Sequence, residues 1–183
     1  MNRARENSLL IADPFLKDEN FIRSVIFLCS HNEEGSFGLA LNKKFEYTID
    51  HLIPGLASFP LPVFVGGPVG LDTIHFLHQY PDLIPDSQPL FDELCWGGDF
   101  EKMKELVISQ TIDINKIKFF IGYSGWSEGQ LEKEIEEKTW LTCAAKRSLI
   151  FDIPSENIWK QSVLELGGEY EQIVNYPIDP QLN

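Results

Sequence analysis

Ser124 is the residue whose surroundings come closest to a catalytic pattern. It lies in residues 122–126, Gly-Tyr-Ser-Gly-Trp, directly after an apolar run. A nucleophile elbow needs glycine two residues after its serine, and Trp126 occupies that position. A hydrolase would also need a base near Ser124, and His78 or a nearby glutamate is the candidate. The pattern favours a turn serine that bonds its own backbone, and a hydrolase using Ser124 is the competing interpretation.

Histidine and cysteine spacing does not favour a metal site. His75 and His78 are three residues apart, and on the strand predicted for residues 74–78 they point to opposite faces of the sheet. The chain has three cysteines, Cys29, Cys95 and Cys143. Because they are odd in number, far apart and set among apolar residues, they are typical of reduced, buried cysteines. The sequence therefore predicts no metal and no cofactor.

The charge balance restricts the class of partner. The chain carries 28 acidic and 15 basic residues, which gives a formal net charge of -13. This excess repels polyanions, and no dense cluster of cations compensates for it, so direct binding of nucleic acid is disfavoured. The apolar runs are too short for a signal peptide or a membrane-spanning helix. We therefore expect a cytoplasmic protein whose partner is a protein or a small molecule.

The elements that must position these residues follow from hydrophobic periodicity and from turn signals. The apolar residues 24–30 predict a strand covered on both faces, and residues 37–41 predict its hairpin partner. Further strands are predicted at residues 9–12, 63–65, 74–78, 115–121, 140–144 and 149–151. Helices are predicted at residues 48–52, at 100–107 with Asp99 as the N-cap, and at 155–166.

The segment around Ser124 predicts a strand, a tight turn and the start of a helix. Ser127 and Gln130 have the spacing of a capping box, with Ser127 as the N-cap. Trp126 and Leu131 occupy the two positions of a hydrophobic staple. These signals predict a helix that begins at Glu128.

Length and composition predict one domain. The chain has 183 residues, of which 43% are hydrophobic, enough for a substantial core. Residues 1–7 are polar and predict a flexible N-terminus, residues 8–174 predict the single domain, and residues 175–183, with two prolines, predict an extended tail.

Several separate motifs resemble the YqgE/AlgH family of bacterial proteins. They lie, in order, at residues 8–14, 20–26, 31–35, 38–42, 65–69, 77–78, 122–126 and 129–132. The resemblance implies an α+β fold in which a bifurcated mixed sheet forms a pseudo-barrel with flanking helices. It also implies a cytoplasmic protein without an established catalytic activity, and some members of the family are named transcriptional regulators. Residues 96–100 and 179–183 suggest a Bacteroidetes-like member.

The family-matching residues concentrate in turns that carry asparagine, glycine, serine and tryptophan rather than an acid and base pair. We therefore expect a binding or regulatory module rather than an enzyme. Its candidate ligand or partner pocket comprises Asn42, Gly66, Gly67, Pro68, His78, Tyr123, Ser124, Gly125 and Trp126. The alternatives are the hydrolase and a transcriptional regulator that acts indirectly or through a protein partner. The oligomeric state is left open.

Overall fold

The computed structural model describes residues 3–168 and 170–174, so the predicted C-terminal tail lies outside the described residues. The strands of the described part are β1 (Ser8–Ala12), β2 (Val25–Asn32), β3 (Gly35–Ala40), β4 (Lys44–Thr48), β5 (Pro62–Val65), β6 (Val69–His78), β7 (Gln88–Pro89), β8 (Cys95–Trp96), β9 (Ile117–Ser127) and β10 (Trp140–Ala144). All but one of the predicted strands are found among them, and β4, β7 and β8 are additions.

The helices flank this sheet. They are α1 (Ile49–Leu52), α2 (Phe100–Ile108), α3 (Gln130–Glu136), α4 (Arg147–Phe151), α5 (Ser155–Leu166) and α6 (Tyr170–Ile173), with a 3-10 turn at Ile114–Lys116. The N-cap predicted for α2 is confirmed, because the Asp99 carboxylate accepts a hydrogen bond from the Lys102 backbone N–H at 2.9 Å. None of the helices in the described ranges has the length and apolar character needed to cross a bilayer.

Strand β9 is the point at which the sheet branches. Along one edge it pairs with β6. Its other edge is divided, because β5 pairs in parallel with residues 119–121 and β3 pairs antiparallel with residues 124–127. The main path of the sheet runs β10-β1-β2-β3-β9-β6-β8-β7, and β4 and β5 form the branch.

The predicted α+β class and bifurcated mixed sheet are therefore confirmed. The sheet is mostly antiparallel, and the parallel pair β5–β9 makes it mixed. In the described part of the chain the terminal strands β10 and β7 do not pair with each other, so the sheet is open rather than closed into a barrel.

Strands β1 and β2 are buried on both faces, which accounts for their continuous apolar sequences. Leu9 and Phe27 point into one core cluster together with Trp159 of α5. Their neighbours Leu10 and Ile26 point to the opposite face. A third cluster lies under α1 and α2. The sheet is therefore covered by helices on both sides of β1 and β2.

The strand predicted at residues 149–151 is wrong, because these residues form the last part of helix α4. The Leu149 N–H donates to the Lys146 carbonyl in a helical turn, and Leu149 and Ile150 are both buried. A three-residue apolar run fits a buried strand and a buried helical turn equally well, so its periodicity does not separate the two.

The tight turn predicted near Ser124 is also wrong, because β9 continues unbroken to Ser127. Helix α3 begins at Gln130 rather than Glu128, and its N-cap is Gly129 with a φ of 70°. Half of the capping box is present, since the Gln130 side chain accepts from the Ser127 N–H at 3.0 Å. The staple residues Trp126 and Leu131 share one core cluster.

Candidate functional site

The two glycines after β5 lie at the branch of the sheet. The Gly66 N–H donates to the Ile121 carbonyl at 2.8 Å. The Gly66 carbonyl accepts from the Ala40 N–H at 2.8 Å and from the Ser124 hydroxyl at 3.0 Å. This one peptide segment therefore bonds to both β3 and β9 at the point where they separate.

Backbone segments approach so closely at this branch that side chains are excluded. A Cβ atom on Gly66 would lie 2.4 Å from the Gly122 carbonyl oxygen, and one on Gly67 would lie 2.2 Å from that of Tyr123. Gly122 also has a φ of 60°, and a Cβ there would meet the Gly67 carbonyl oxygen at 2.7 Å. Glycine at these three positions is thus required by packing.

Asn42 lies two residues after β3 and bonds to the start of β2. Its Oδ1 accepts from the Val25 N–H at 2.9 Å, and its Nδ2 donates to the Arg23 carbonyl at 2.8 Å. The side chain thereby ties the end of the β2–β3 hairpin to the segment that enters β2. The hydrogen-bonding capacity of Asn42 is used within the chain.

The geometry does not assemble a Ser124 hydrolase with His78. Ser124 is 1% exposed, and its hydroxyl donates to a backbone carbonyl. His78 pairs with Ile117, seven residues before Ser124 on β9. At about 3.3 Å per residue, that separation is on the order of 20 Å, far beyond hydrogen-bond reach.

His78 is fully buried and has a structural role. Its Nδ1 accepts from the Tyr80 N–H at 3.1 Å, so the ring hydrogen lies on Nε2. The Nε2–H faces the Gly97 carbonyl at 2.9 Å and the Ser87 hydroxyl at 3.0 Å. Burial lowers the pKa of His78, and the bond to the Gly97 carbonyl opposes that shift. The neutral ring joins the end of β6 to the loop and turn beside it.

The structure brings most of the predicted pocket residues together and separates two. Residues 42, 66–68 and 123–125 lie around the branch. His78 lies at the far end of β9, and Trp126 faces α3, where its Nε1–H donates to Glu134 at 2.8 Å. That these residues bind a ligand stays a prediction, and the polar groups of Asn42 and Ser124 are used internally.

Four rings from separate parts of the sequence meet in the folded chain. We call Phe37, His75, Trp96 and Tyr123 the aromatic patch. The ring centroids of Phe37 lie 4.6 Å from Trp96, 5.0 Å from Tyr123 and 5.5 Å from His75. All four side chains are partly exposed. On β6, Val69 pairs with Tyr123, and Val69 and Leu71 are 42% and 53% exposed.

The aromatic patch arises from register rather than from local sequence. Its members come from β3, β6, β8 and β9, and each stands among residues with other roles. The pairing of Phe37 with Gly125, and of Leu77 with Trp96, brings them to one place. Of the four, only Tyr123 belongs to the predicted pocket, because no local pattern indicates that the other three rings lie beside it.

The electrostatics of the aromatic patch are those of a neutral surface with acidic neighbours. Burial lowers the pKa of His75, which favours the uncharged ring. Its Nε2 lies 3.2 Å from the Thr73 hydroxyl. Asp72 on β6, and Asp92 and Glu93 just before β8, are exposed carboxylates.

A family model described as AlgH-like (DUF179) matches residues 9–171 of the chain. The chain belongs to the AlgH-like family. An AlgH-like relative, a UPF0301 protein of Chlorobium limicola, is 42% identical over 182 residues, which cover 100% of this chain and 97% of the relative. A UPF0301 protein of Parabacteroides distasonis is 41% identical over 180 residues, covering 97% of this chain and 91% of the relative. The family recognised from the motifs is thus confirmed.

Two solved structures share the AlgH-like fold. The solution structure of AlgH from Pseudomonas aeruginosa has a TM-score of 0.74 at 27% identity, covering 97% of this chain and 98% of that one. A crystal structure of a Corynebacterium diphtheriae protein has a TM-score of 0.81 at 22% identity, covering 96% of this chain and 94% of that one. The second likeness concerns the fold alone.

A cleft lined in part by β4, β5 and β9 also belongs to this AlgH-like chain. Its volume is about 290 Å³, and its lining includes Phe64, Lys118, Lys44 and Glu156. The Lys118 ammonium lies 4.2 Å from the centroid of the Phe64 ring and donates to the Ile150 carbonyl at 3.1 Å. Within the described ranges, no cluster of histidines, cysteines and carboxylates could hold a metal ion.

Proposed function

We propose that this AlgH-like chain is a cytoplasmic binding module with a regulatory role, and that the aromatic patch docks a protein partner. The partner presents an apolar anchor flanked by basic residues. The observation that carries the proposal is the cluster of four partly exposed rings, one of which, Tyr123, pairs with the exposed Val69 of β6. The proposal assigns no chemical reaction to this surface.

The composition of the aromatic patch supports protein recognition. Tyrosine and tryptophan are enriched among residues that dominate binding energy, because their rings offer large contact area with few rotatable bonds. The strand that pairs with Tyr123 carries further exposed apolar side chains, and grouped apolar exposure is typical of interaction sites. Val69 and Leu71 remain strongly exposed in the isolated chain, and a docked partner would remove them from water.

Charge supports a basic partner. The chain has a formal net charge of -13, and Asp72, Asp92 and Glu93 are exposed on or just before the strands that carry the rings. A basic protein surface is attracted by such a field, whereas the phosphates of nucleic acid are repelled. A regulatory role, including control of transcription, would therefore act through the partner rather than through direct DNA contact.

The test compares the chain with two double variants. Val69→Ser/Leu71→Ser removes exposed apolar groups beside the aromatic patch. The matched control, Ile108→Ser/Leu164→Ser, removes exposed apolar groups on α2 and α5, where the side chains are 48% and 37% exposed. Each protein is immobilised on a resin and incubated with a lysate of its source bacterium. The proteins that the resin retains are quantified by mass spectrometry.

A basic protein should be retained by the parent chain and the control and lost from the patch variant. That protein is then purified, and its affinity is measured by calorimetry at low and high salt. The patch variant should bind at least about fivefold more weakly, as for residues whose truncation costs more than ~1 kcal/mol. High salt should weaken binding to the parent chain.

Three results would contradict the proposal. The first is an identical set of retained proteins for all three chains. The second is a parent chain that sediments as a dimer which Val69→Ser/Leu71→Ser dissociates, because the occupant is then a second copy. The third is direct DNA binding, seen as a band shift that is strong at low salt and unchanged in Val69→Ser/Leu71→Ser.

A further inference from the structure

We propose that the cleft beside Lys118 binds a small carbonyl compound that carries an anionic group, such as a 2-oxo acid, and that the Lys118 amine condenses with its carbonyl carbon to form an imine. This site is independent of the proposed docking function, because its lining shares no residue with the aromatic patch. The cleft volume of about 290 Å³ lies at the small end of ligand sites, which suits a compound of a few heavy atoms.

Lys118 is partly exposed, and its surroundings shield the amine from water without supplying a counter-charge. The Nζ lies over the Phe64 ring and donates one hydrogen bond, to the Ile150 carbonyl. Within residues 3–168 and 170–174, no carboxylate forms an ion pair with it. An amine held in this way keeps a lone pair that attacks carbonyl carbon when the proton is absent.

The proton balance favours that uncharged form. Burial, with a smaller contribution from the Lys44 charge, lowers the pKa of Lys118 to about 7. An exposed lysine has a pKa of about 10.4, so at pH 7 its neutral fraction is roughly a thousandfold smaller than that of Lys118. Lysines desolvated beside a second cation are a known route to amine nucleophiles.

The charged groups that line the cleft are Lys44 on β4, Lys118 on β9 and Glu156 at the start of α5. The other lining residues are uncharged, and they include those that come from β5, from the 3-10 turn and from the segment before α5. Lys44 lies 3.8 Å from the Glu156 carboxylate, and the Lys44 side chain is 63% exposed. Such an exposed pair is weak, so the anionic group of a ligand can replace Glu156 as the partner of the Lys44 ammonium. The carbonyl of the ligand then faces Lys118.

The covalent step balances without an oxidant or reductant. The neutral Lys118 amine attacks the carbonyl carbon, the C–N bond forms, and the carbonyl π electrons move to oxygen. Proton transfer from nitrogen to oxygen gives a carbinolamine. The C–O bond then breaks, the oxygen leaves as water with both amine hydrogens, and the nitrogen lone pair forms the C=N bond.

The experiment traps the imine. The full chain is incubated with pyruvate and sodium cyanoborohydride, and the modified lysines are identified by peptide mass spectrometry. We expect one reduced pyruvate on Lys118, with labelling that is half-maximal near pH 7. The variant Lys118→Arg should remove the label, and the matched control Lys116→Arg, which alters an exposed lysine two residues away, should retain it.

The role of the anionic group is tested with acetone, which is uncharged. Pyruvate should label Lys118 faster than acetone does. The variant Lys44→Gln should slow labelling by pyruvate, relative to labelling by acetone, by about two- to fivefold. This factor corresponds to the free energy that an exposed ion pair contributes. Equal relative rates in the parent chain and in Lys44→Gln would contradict the anionic requirement.

Site mapping on the parent chain keeps the proposal falsifiable even if Lys118→Arg does not fold. Label that is spread over exposed lysines in proportion to their exposure would overturn it. So would a Lys118 that stays unlabelled at every pH between 6 and 9, a window of about one to two units around its pKa.

Discussion

Removing the Glu134 carboxylate tests the packing of α3 against the sheet. One oxygen of Glu134 accepts from the indole N–H groups of both Trp126 and Trp140, each at 2.8 Å. Its other oxygen accepts from the Gln130 side chain at 2.9 Å. The two indoles are 7% and 1% exposed, so water has little access to them once the carboxylate is gone.

The expected loss of stability follows from these contacts. A hydrogen bond to a charged acceptor contributes about 1.5–3 kcal/mol, and a buried donor left without a partner carries a desolvation penalty. Glu134 itself is half-buried, so water replaces part of the lost interaction. We expect Glu134→Ala to lower the free energy of unfolding by about 2–4 kcal/mol. Glu134→Gln keeps one acceptor oxygen and should cost about 1 kcal/mol.

The assay is urea unfolding followed by both far-UV circular dichroism and tryptophan fluorescence. The matched control is Glu136→Ala, which alters an exposed glutamate on the same helix and should change the free energy of unfolding by less than about 0.5 kcal/mol. If Glu134→Ala and Glu136→Ala unfold at the same urea concentration, the shared carboxylate does not hold α3 in place and the reasoning is refuted.

Three further perturbations address the branch and His78. Gly67→Ala places a Cβ 2.2 Å from backbone atoms and should cost about 3 kcal/mol or more in calorimetry, whereas Gly129→Ala, with a φ of 70° and open space, should cost about 1 kcal/mol. Ser124→Ala should cost about 1 kcal/mol, and the parent Ser124 should resist a fluorophosphonate probe, whose attachment there would revive the hydrolase. The pKa of His78 is lowered in the folded chain, so the unfolded chain binds more protons and stability should fall as the pH drops below about 6.5. The decline should be shallower in His78→Gln, and an unchanged pH profile would contradict this.

Local patterns predicted the elements that carry most of the core. The hairpin β2–β3, helix α2 with its Asp99 cap, and helix α5 follow from apolar runs, periodicity and turn residues within each segment. The errors fell where local signals are ambiguous. The glycines beside Ser124 indicated a turn, yet Gly122 adopts its positive φ within a continuous strand.

The candidate site was less accessible to prediction, because its geometry depends on long-range pairing. The sequence places Gly66 and Gly67 in a turn, whereas their steric constraint comes from β9, more than 50 residues later in the chain. Lys118 gave no sequence signal at all, since its low pKa arises from burial against Phe64 and Ile150. Such effects follow from the assembled sheet rather than from any one segment.

The pairing of β1 with β10 also sets when the molecule can fold during its own synthesis. Ser8 pairs with Ala144, and the Trp159 indole donates to the Ala12 carbonyl at 2.9 Å. At roughly 5–20 residues per second, the ribosome needs on the order of 7–30 s after making β1 to deliver these partners. Throughout that interval one apolar edge of the sheet has no strand to cover it, and a chaperone that shields nascent apolar segments should associate with this chain until α5 has emerged.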